Sequence, residues 1–374
     1  MRVLQISKFY PPVFGGMEFF VLDLVGELSQ KVQCDVLCAN IGKKTLVEDG
    51  GCCNVIRCGS LGTVSSTSIS PVLIRRLRQL SRQYDIMHVH LPNPMANLAY
   101  YLVRPDCWLV VHWHSDILRQ RTLMRFYRPL QDWLLRRADV IVATSQPYLD
   151  GSAYLRSFKD KCTVIPLGLN PGRLKVRDEE IGRIKQQCGH RPIIFTLGRL
   201  VYYKGLSYLV NAARDVDACL LIGGGGPLRA KLAQQIARLS LAHKVFLLDD
   251  IRQEDLGAYY RACDVFCLPS IRKTEAFGLV QLEAMYFEKP VVSTDIAGSG
   301  VSWVNQSGVT GLVVPPENPA ALAQALRRII ESRELAEEFG KNGGKRFAGE
   351  FNIGVVADKM LQVYESVLED QKGV

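Results

Sequence analysis

Along this chain, compact runs of Val, Ile and Leu alternate with stretches whose apolar residues recur at helical spacing, and the series runs through twice. In the first half the pattern predicts strands at Val3–Ser7, Cys34–Cys38, Ile86–Val89, Leu109–His112 and Val140–Ala143, closing on Val164-Ile165-Pro166. Helices are predicted at Met17–Ser29, where Phe20, Leu24 and Leu28 share a face, at Ile69–Arg82 and at Leu118–Arg137. The second half predicts strands at Ile193–Leu197, Ala218–Ile222, Val245–Leu248, Val265–Leu268, Val291–Ser293 and Gly311–Val314, with helices between them and onward to Glu369. Strand, helix, strand is a parallel crossover, and a parallel sheet is covered on both faces. The expectation is an α/β protein of two Rossmann-like, doubly wound parallel-sheet domains facing across a cleft, with ligands at the carboxyl ends of the strands. A length of 374 residues also exceeds what one core usually supports. The polar stretch 171–190 opens on the linker, which puts the first domain at 1–170.

Composition narrows the function classes. No apolar run approaches the roughly 20 residues that cross a bilayer. The opening Met1-Arg2-Val3-Leu4-Gln5-Ile6 reads as a strand and not as a leader, so a cytoplasmic protein is expected. The 11 cysteines lack paired CxxC spacing and read as buried reduced thiols, with Cys34, Cys38, Cys219, Cys263 and Cys267 assigned to strands. Most of the net charge of +9 lies before Asn170, in Arg75, Arg76, Arg78 and Arg82 and in Arg119, Arg121, Arg125, Arg128, Arg136 and Arg137. Such stretches are either solvated helix faces or a peripheral contact with anionic membrane. No RNA-binding signature accompanies them, and no nucleic acid is expected.

Four groups of residues carry chemistry. Glu275-Ala276-Phe277-Gly278-Leu279-Val280-Gln281-Leu282-Glu283 sets one carboxylate in a loop and a second about one helical turn beyond the loop. A carboxylate can bind two hydroxyls of a sugar or ribose, and Gly278 permits close backbone approach. Gly198-Arg199-Leu200-Val201-Tyr202-Tyr203-Lys204-Gly205 places a guanidinium and an ammonium after a strand, which suits a diphosphate. Gly15-Gly16, after the first strand, is either a phosphate approach or a plain tight turn. His112-Trp113-His114-Ser115-Asp116 ends a strand, from which an imidazole can donate to a sugar hydroxyl. His88 and His90 read as core or loop residues. Neither His pair has a third ligand at metal-site spacing, so no metal is expected. Asp215-Val216-Asp217 reads as a solvated turn, and Gly223–Gly226 as a turn that lets backbone approach a donor.

In this order the motifs resemble those of the retaining GT-B glycosyltransferases of family 4. The E-x7-E of Glu275 and Glu283, the Arg199–Lys204 loop, Gly15-Gly16, the glycine turn before Pro227 and Thr310–Pro315 carry the resemblance, over nearly the whole chain. Trp113–Ile117, Thr274–Gly278 and Gly298–Val301 look like bacterial mannosyl- and rhamnosyltransferases of O-antigen or capsule assembly. The resemblance implies an N-terminal acceptor-binding domain at 1–170, a donor-binding domain at 171–352, and a last helix, 353–374, that returns to the first. It implies that Arg199 and Lys204, with Gly15 and Gly16, bind the donor diphosphate. Glu283 takes the ribose and Ile251 and Arg252 flank the base. Glu275, Ala276, Phe277, Gly278 and Leu279 hold the transferred sugar, and His114 contacts it near the reacting centre, so that His114 and Glu275 are the catalytic candidates.

The activity so implied is transfer of a hexose, with GDP-mannose the favoured donor, onto a saccharide acceptor carried on a lipid. It retains configuration and needs no cofactor or metal, since Arg199 and Lys204 can stabilise the leaving diphosphate. Two same-fold alternatives remain, a UDP-sugar-dependent transferase and a nucleotide-sugar epimerase. A nicotinamide enzyme lacks its G-x-G-x-x-G, and a non-catalytic basic adaptor leaves the Glu275, Glu283, Arg199 and Lys204 set unexplained.

Overall fold

The computed structural model describes residues 1–13, 15–51, 53–65, 67–117 and 121–369, with the backbone alone at 121–123. The chain divides into two compact units, Met1–Gly168 with Ile353–Val374, and Leu169–Asn352.

The first unit is built on an eight-stranded sheet. Its spatial order is Cys162–Val164, Val140–Ala143, Trp108–Trp113, Ile86–Leu91, Arg2–Ile6, Gln33–Ala39, Asn54–Cys58 and Leu46–Asp49. Every neighbour is parallel except the last, an antiparallel edge strand. The order reverses between Arg2–Ile6 and Ile86–Leu91, which leaves a crevice at their carboxyl ends. Val3, Leu4, Val36, Leu37, Ile86 and Val89 are fully enclosed, as strands covered on both faces must be. Helix Ile353–Glu369 belongs to this unit, and Tyr364 reaches from it to Gln5 on the first strand.

The second unit holds a six-stranded, wholly parallel sheet in the order Val245–Leu247, Cys219–Gly223, Ile193–Leu197, Val265–Leu268, Val291–Thr294 and Gly311–Val314. Its reversal falls between Ile193–Leu197 and Val265–Leu268. Ile194, Leu209, Val210, Leu220, Ile222 and Leu326 are the centre of its main core. Each such side chain contributes about 1.5–3 kcal/mol by leaving water.

Several elements depart from the sequence expectation. The edge strand Leu46–Asp49, its neighbour Asn54–Cys58 and helix Pro94–Val103 were not predicted. Leu46–Asp49 is exposed along its length and has no hydrophobic pattern to betray it. The helix expected over 69–82 runs only from Pro71 to Leu80, because Pro71 supplies a first-turn residue that needs no donor. Cys263 is not in a strand but ends helix Leu256–Ala262, its N–H bonded to Tyr259 O. The cysteines among the described residues are free thiols, and Cys107 and Cys162 are only half-buried. Cys52, Leu118 and Arg119 lie outside the described residues, as does the side chain of Arg121.

Candidate functional site

In the second unit the two loops flanking the sheet reversal are forced together. The first follows strand Ile193–Leu197 and passes through a 3-10 turn, Tyr202–Lys204, into helix Leu206–Ala212. Gly205 makes that passage with φ 65°, and a Cβ there would stand 2.0 Å from the carbonyl oxygen of Pro269 on the second loop. Glycine is therefore required both for its backbone angle and for the contact. Ile271 N–H donates to Tyr203 O at 2.8 Å and holds the loops in register.

This contact sets Lys204 on Glu275. Nζ of the lysine lies 2.5 Å from Oε2 of the glutamate, and each side chain is 12% exposed. Ser270 Oγ donates to the same carboxylate oxygen at 2.9 Å, and Ser299 Oγ donates to the Glu275 carbonyl at 2.5 Å. Gly300 N–H donates to Ala276 O at 2.7 Å. The loop Glu275–Leu279 is thus held at three points before helix Val280–Tyr286 begins. Gly278 has φ 78°, and a Cβ on it would press to 2.6 Å from Leu268 Cδ2. Ala276 and Phe277 are buried beneath the loop, and Leu279 is half-buried. Glu283, one turn into the helix, accepts a hydrogen bond from Tyr260 Oη at 2.6 Å. Tyr260 is itself fully enclosed, and burial raises its phenol well above the ordinary range, so it serves as a donor.

Arg199 is exposed, with its guanidinium 3.4 Å from Tyr203 Oη, and is open to an anionic ligand. The two cations of this loop are therefore unequal, since one is tied to a carboxylate and the other faces water. The glycine turn Gly223–Gly226 packs closely on the protein's own chain. A Cβ on Gly224 would lie 2.4 Å from Gly198 O, and one on Gly226 2.7 Å from Leu200 N. The protein's own Arg199 loop fills the space, and Leu200 N–H donates to Gly225 O at 2.8 Å. Ile251 packs toward Gly223, where a Cβ would come within 2.7 Å of its Cδ1. Arg252 is engaged by Glu254 and Asp255. Asp215 ends a 3-10 turn ahead of strand Cys219–Gly223, at the end of the sheet away from these loops.

In the first unit Gly15 and Gly16 stand at the start of helix Gly16–Leu28, after the central strand. A Cβ on Gly15 would fall 2.4 Å from Glu18 Oε2. Burial raises the Glu18 carboxyl above its ordinary range, which lessens its repulsion of an anion at the helix start. His114 follows strand Trp108–Trp113 and is 6% exposed. Beside it lie His88, His90 and His112, all fully enclosed. Parallel pairing sets His90 opposite His112, so the third imidazole that the sequence spacing lacked is supplied by a neighbouring strand. His88, His90 and His112 bring ligand atoms within 4.8 Å of one another. Their rings, however, stack with one another and with His114 at interplanar angles between 7° and 29°. Near-parallel planes send in-plane lone pairs side by side and not toward one ion. Burial, together with neighbouring imidazoles, keeps His88, His90 and His112 neutral.

Both halves of the chain match known families. Residues 14–173 match the model for Glycosyltransferase Family 4, and residues 178–346 that for Glycosyl transferases group 1. The O-antigen chain mannosyltransferase C of Escherichia coli is 33% identical over 99% of this chain and 100% of its own length. The chain belongs to glycosyltransferase family 4. The D-rhamnosyltransferase WbpZ of Pseudomonas aeruginosa is 38% identical over 76% of this glycosyltransferase and 74% of the relative. Among solved structures, a sucrose-phosphate synthase from Thermosynechococcus elongatus superposes with a TM-score of 0.81 at 23% identity, covering 99% of each chain. Anabaena Alr3699/HepE in complex with UDP-glucose gives 0.76 at 22% identity, covering 98% of this chain and 100% of that one. These likenesses make the fold GT-B.

The sequence reading of this glycosyltransferase did not single out Tyr260 or Glu18, and it gave Ser270 and Ser299 no role of their own, although Ser299 lies in the Gly298–Val301 motif. The hydrogen bonds of the two serines to Glu275 depend on a loop fold that no local spacing records. Tyr260 sits on a different helix from Glu283 and is legible only through packing. Also in the first unit is an apolar hollow of about 450 Å³ lined by Lys8, Ile69, Pro92, Ile117, Met124 and Phe126. Phe126, on helix Arg121–Arg137, is 80% exposed, between the exposed Arg125 and Arg128. No helix among the described residues is long and apolar enough to cross a membrane.

Proposed function

We propose that this glycosyltransferase moves a mannosyl residue from GDP-mannose onto a lipid-linked saccharide, with retention of configuration, in assembly of a bacterial O-antigen or capsule polysaccharide. The observation that carries the reading is the Lys204–Glu275 pair at the sheet reversal, in a chain related over its full length to an O-antigen chain mannosyltransferase. The second unit takes the donor. Arg199 meets the diphosphate from water, and Lys204 lies between that phosphate and Glu275. Glu275 and the backbone of Ala276, Phe277, Gly278 and Leu279 hold the sugar. Glu283, braced by Tyr260, takes the ribose, and Ile251 with Arg252 borders the base. Gly15 and Gly16, for the diphosphate, and His114, for the transferred sugar, are assigned from the family resemblance alone.

As the anomeric bond breaks, positive charge develops on the sugar and negative charge on the diphosphate. The two cations stabilise the departing oxygen, which accepts the acceptor's proton as the new bond forms on the same face. No metal is needed for that step. The apolar hollow and the Arg125–Phe126–Arg128 surface suit the acceptor's lipid and an anionic bilayer. A D-rhamnosyl donor is the second reading, favoured by the 38% identity to WbpZ.

The test is a transfer assay without added metal, offering GDP-mannose, a D-rhamnosyl nucleotide and UDP-glucose with lipid-linked acceptors, and determining the new linkage by NMR. An α-mannosyl product from GDP-mannose is expected. Turnover of UDP-glucose alone would overturn the donor, and an inverted linkage the mechanism.

A further inference from the structure

We propose that the buried series Tyr364, Gln5 and His90 holds His114 in a single tautomer, protonated on Nε2 and bare on Nδ1, so that His114 has no N–H left to donate to a hydroxyl of the transferred sugar. The inference rests on the assignment of His114 to that sugar. It reverses the donor role expected from sequence.

The links run without a gap through the first unit. Tyr364 Oη lies 2.6 Å from His88 Nδ1. Gln5 Nε2 donates to Tyr364 Oη at 3.0 Å. Gln5 Oε1 lies 2.8 Å from His90 Nε2, and His90 Nδ1 lies 2.9 Å from His114 Nε2. All five residues are at least nine-tenths buried. Burial keeps the series from bulk water, and each hydrogen on one link dictates the next.

The direction is set at the tyrosine. A phenol O–H is a stronger donor than a neutral imidazole N–H, and an imidazole lone pair is a stronger acceptor than a phenol oxygen. Tyr364 therefore donates to His88 Nδ1, and its oxygen accepts from the Gln5 amide. That leaves the Gln5 carbonyl as an acceptor, which calls for a proton on His90 Nε2. A neutral imidazole carries one N–H, so His90 Nδ1 is a lone pair and His114 Nε2 must donate to it. Only Nδ1 of His114 remains, bare and without a partner among the described residues. Nδ1 is itself enclosed, so its bare lone pair is a local cost that the series imposes. The same logic gives helix Ile353–Glu369 a chemical task, because its Tyr364 orders a ring on another strand.

The series explains the imidazole cluster better than a metal does, given the near-parallel rings. Gln5, His90 and Tyr364 are positioning residues, since none is assigned to the sugar. Their effect is readable as a tautomer apart from any activity.

The experiment is ¹⁵N–¹H two-bond correlation NMR on the full chain labelled at histidine, with His114 assigned by its loss in His114→Asn. The wild type is expected to show Nε2–H on His114. Tyr364→Phe and Gln5→Leu should convert it to a mixture or to Nδ1–H, while Gln5→Glu, which still accepts from His90, should keep Nε2–H. In the transfer assay Tyr364→Phe should lower kcat about tenfold with little change in donor KM. A wild-type His114 protonated on Nδ1 overturns the proposal even if every variant fails to fold. So does an unchanged tautomer in folded Tyr364→Phe and Gln5→Leu, or a joint shift of all four imidazoles on adding Zn²⁺. A wild type with the expected tautomer but no transfer from any donor would count against the proposed function and leave the tautomer assignment standing.

Discussion

Nζ of Lys204 lies 2.5 Å from Oε2 of Glu275, in a pair whose side chains are each only 12% exposed. The two residues are 71 positions apart, on loops that meet because the strand order reverses between them. A lysine so held cannot act as an independent charge. Under the proposed function, an arriving diphosphate competes with Glu275 for the ammonium and leaves the carboxylate to sugar hydroxyls. On that reading one pair links phosphate recognition to sugar recognition.

Lys204→Ala should therefore impair more than phosphate binding. It leaves Glu275 poorly solvated and uncompensated, and the loss of stability should be about 3 kcal/mol. Transfer should fall by about 10²-fold or more in kcat/KM. Double-mutant analysis with Glu275→Gln checks the coupling: the double variant should be less destabilised than the sum of the singles. Strict additivity would show that the pair is not energetically linked.

Gly205→Ala should displace the same pair from a distance. A Cβ cannot stand 2.0 Å from Pro269 O, and φ 65° is itself unfavourable for alanine. A drop of about 2–4 kcal/mol in unfolding free energy is expected, together with loss of donor-induced stabilisation. By contrast Gly182→Ala, on an open helix face with nothing near its Cβ, should be neutral or stabilising in the same denaturation series. Equal effects at the two sites would refute the packing argument.

Stability should decline in mild acid because of the imidazole cluster. Burial holds His88, His90 and His112 well below the ordinary histidine range and His114 at about 3. The unfolded chain takes up protons below about pH 6.5, whereas the folded chain does not. The stabilisation is complete above that pH and is lost as pH falls toward the folded values, at about 1.4 kcal/mol per pH unit for each histidine. Tyr364, the other titratable group facing the cluster, stays neutral throughout because burial raises it. Chemical denaturation at pH 7.5, 6 and 5 checks this, and His112→Leu should flatten the slope. A midpoint constant over that interval would be incompatible with four buried neutral imidazoles.

Phe126→Ser should weaken attachment to vesicles that contain anionic lipid, without changing the melting temperature, since the ring is 80% exposed. Arg128→Ala should do the same and reduce the salt sensitivity of binding. Cosedimentation with vesicles at low and high salt measures both. Wild-type protein that stays in the supernatant under all conditions would remove the bilayer from the proposal.

The sequence by itself determined the double α/β series, because hydrophobic periodicity is a local property written in each segment. The strands Val140–Ala143, Ile193–Leu197, Val265–Leu268 and Gly311–Val314 agree with it residue for residue. It also singled out Glu275, Glu283, Arg199 and Lys204, since loops at strand ends carry their chemistry in contiguous motifs. It did not disclose strand Leu46–Asp49, whose exposed residues have no pattern, or the close fit of Gly224 and Gly226 to the Arg199 loop. Only the tertiary structure decided that Lys204 is bound to Glu275, that Tyr260 braces Glu283, and that two separate His-x-His pairs form one cluster joined to Gln5 and Tyr364. These are contacts between residues far apart in the chain. They exist because parallel pairing and the sheet reversals bring particular strand ends together, and no local spacing records which ends will meet.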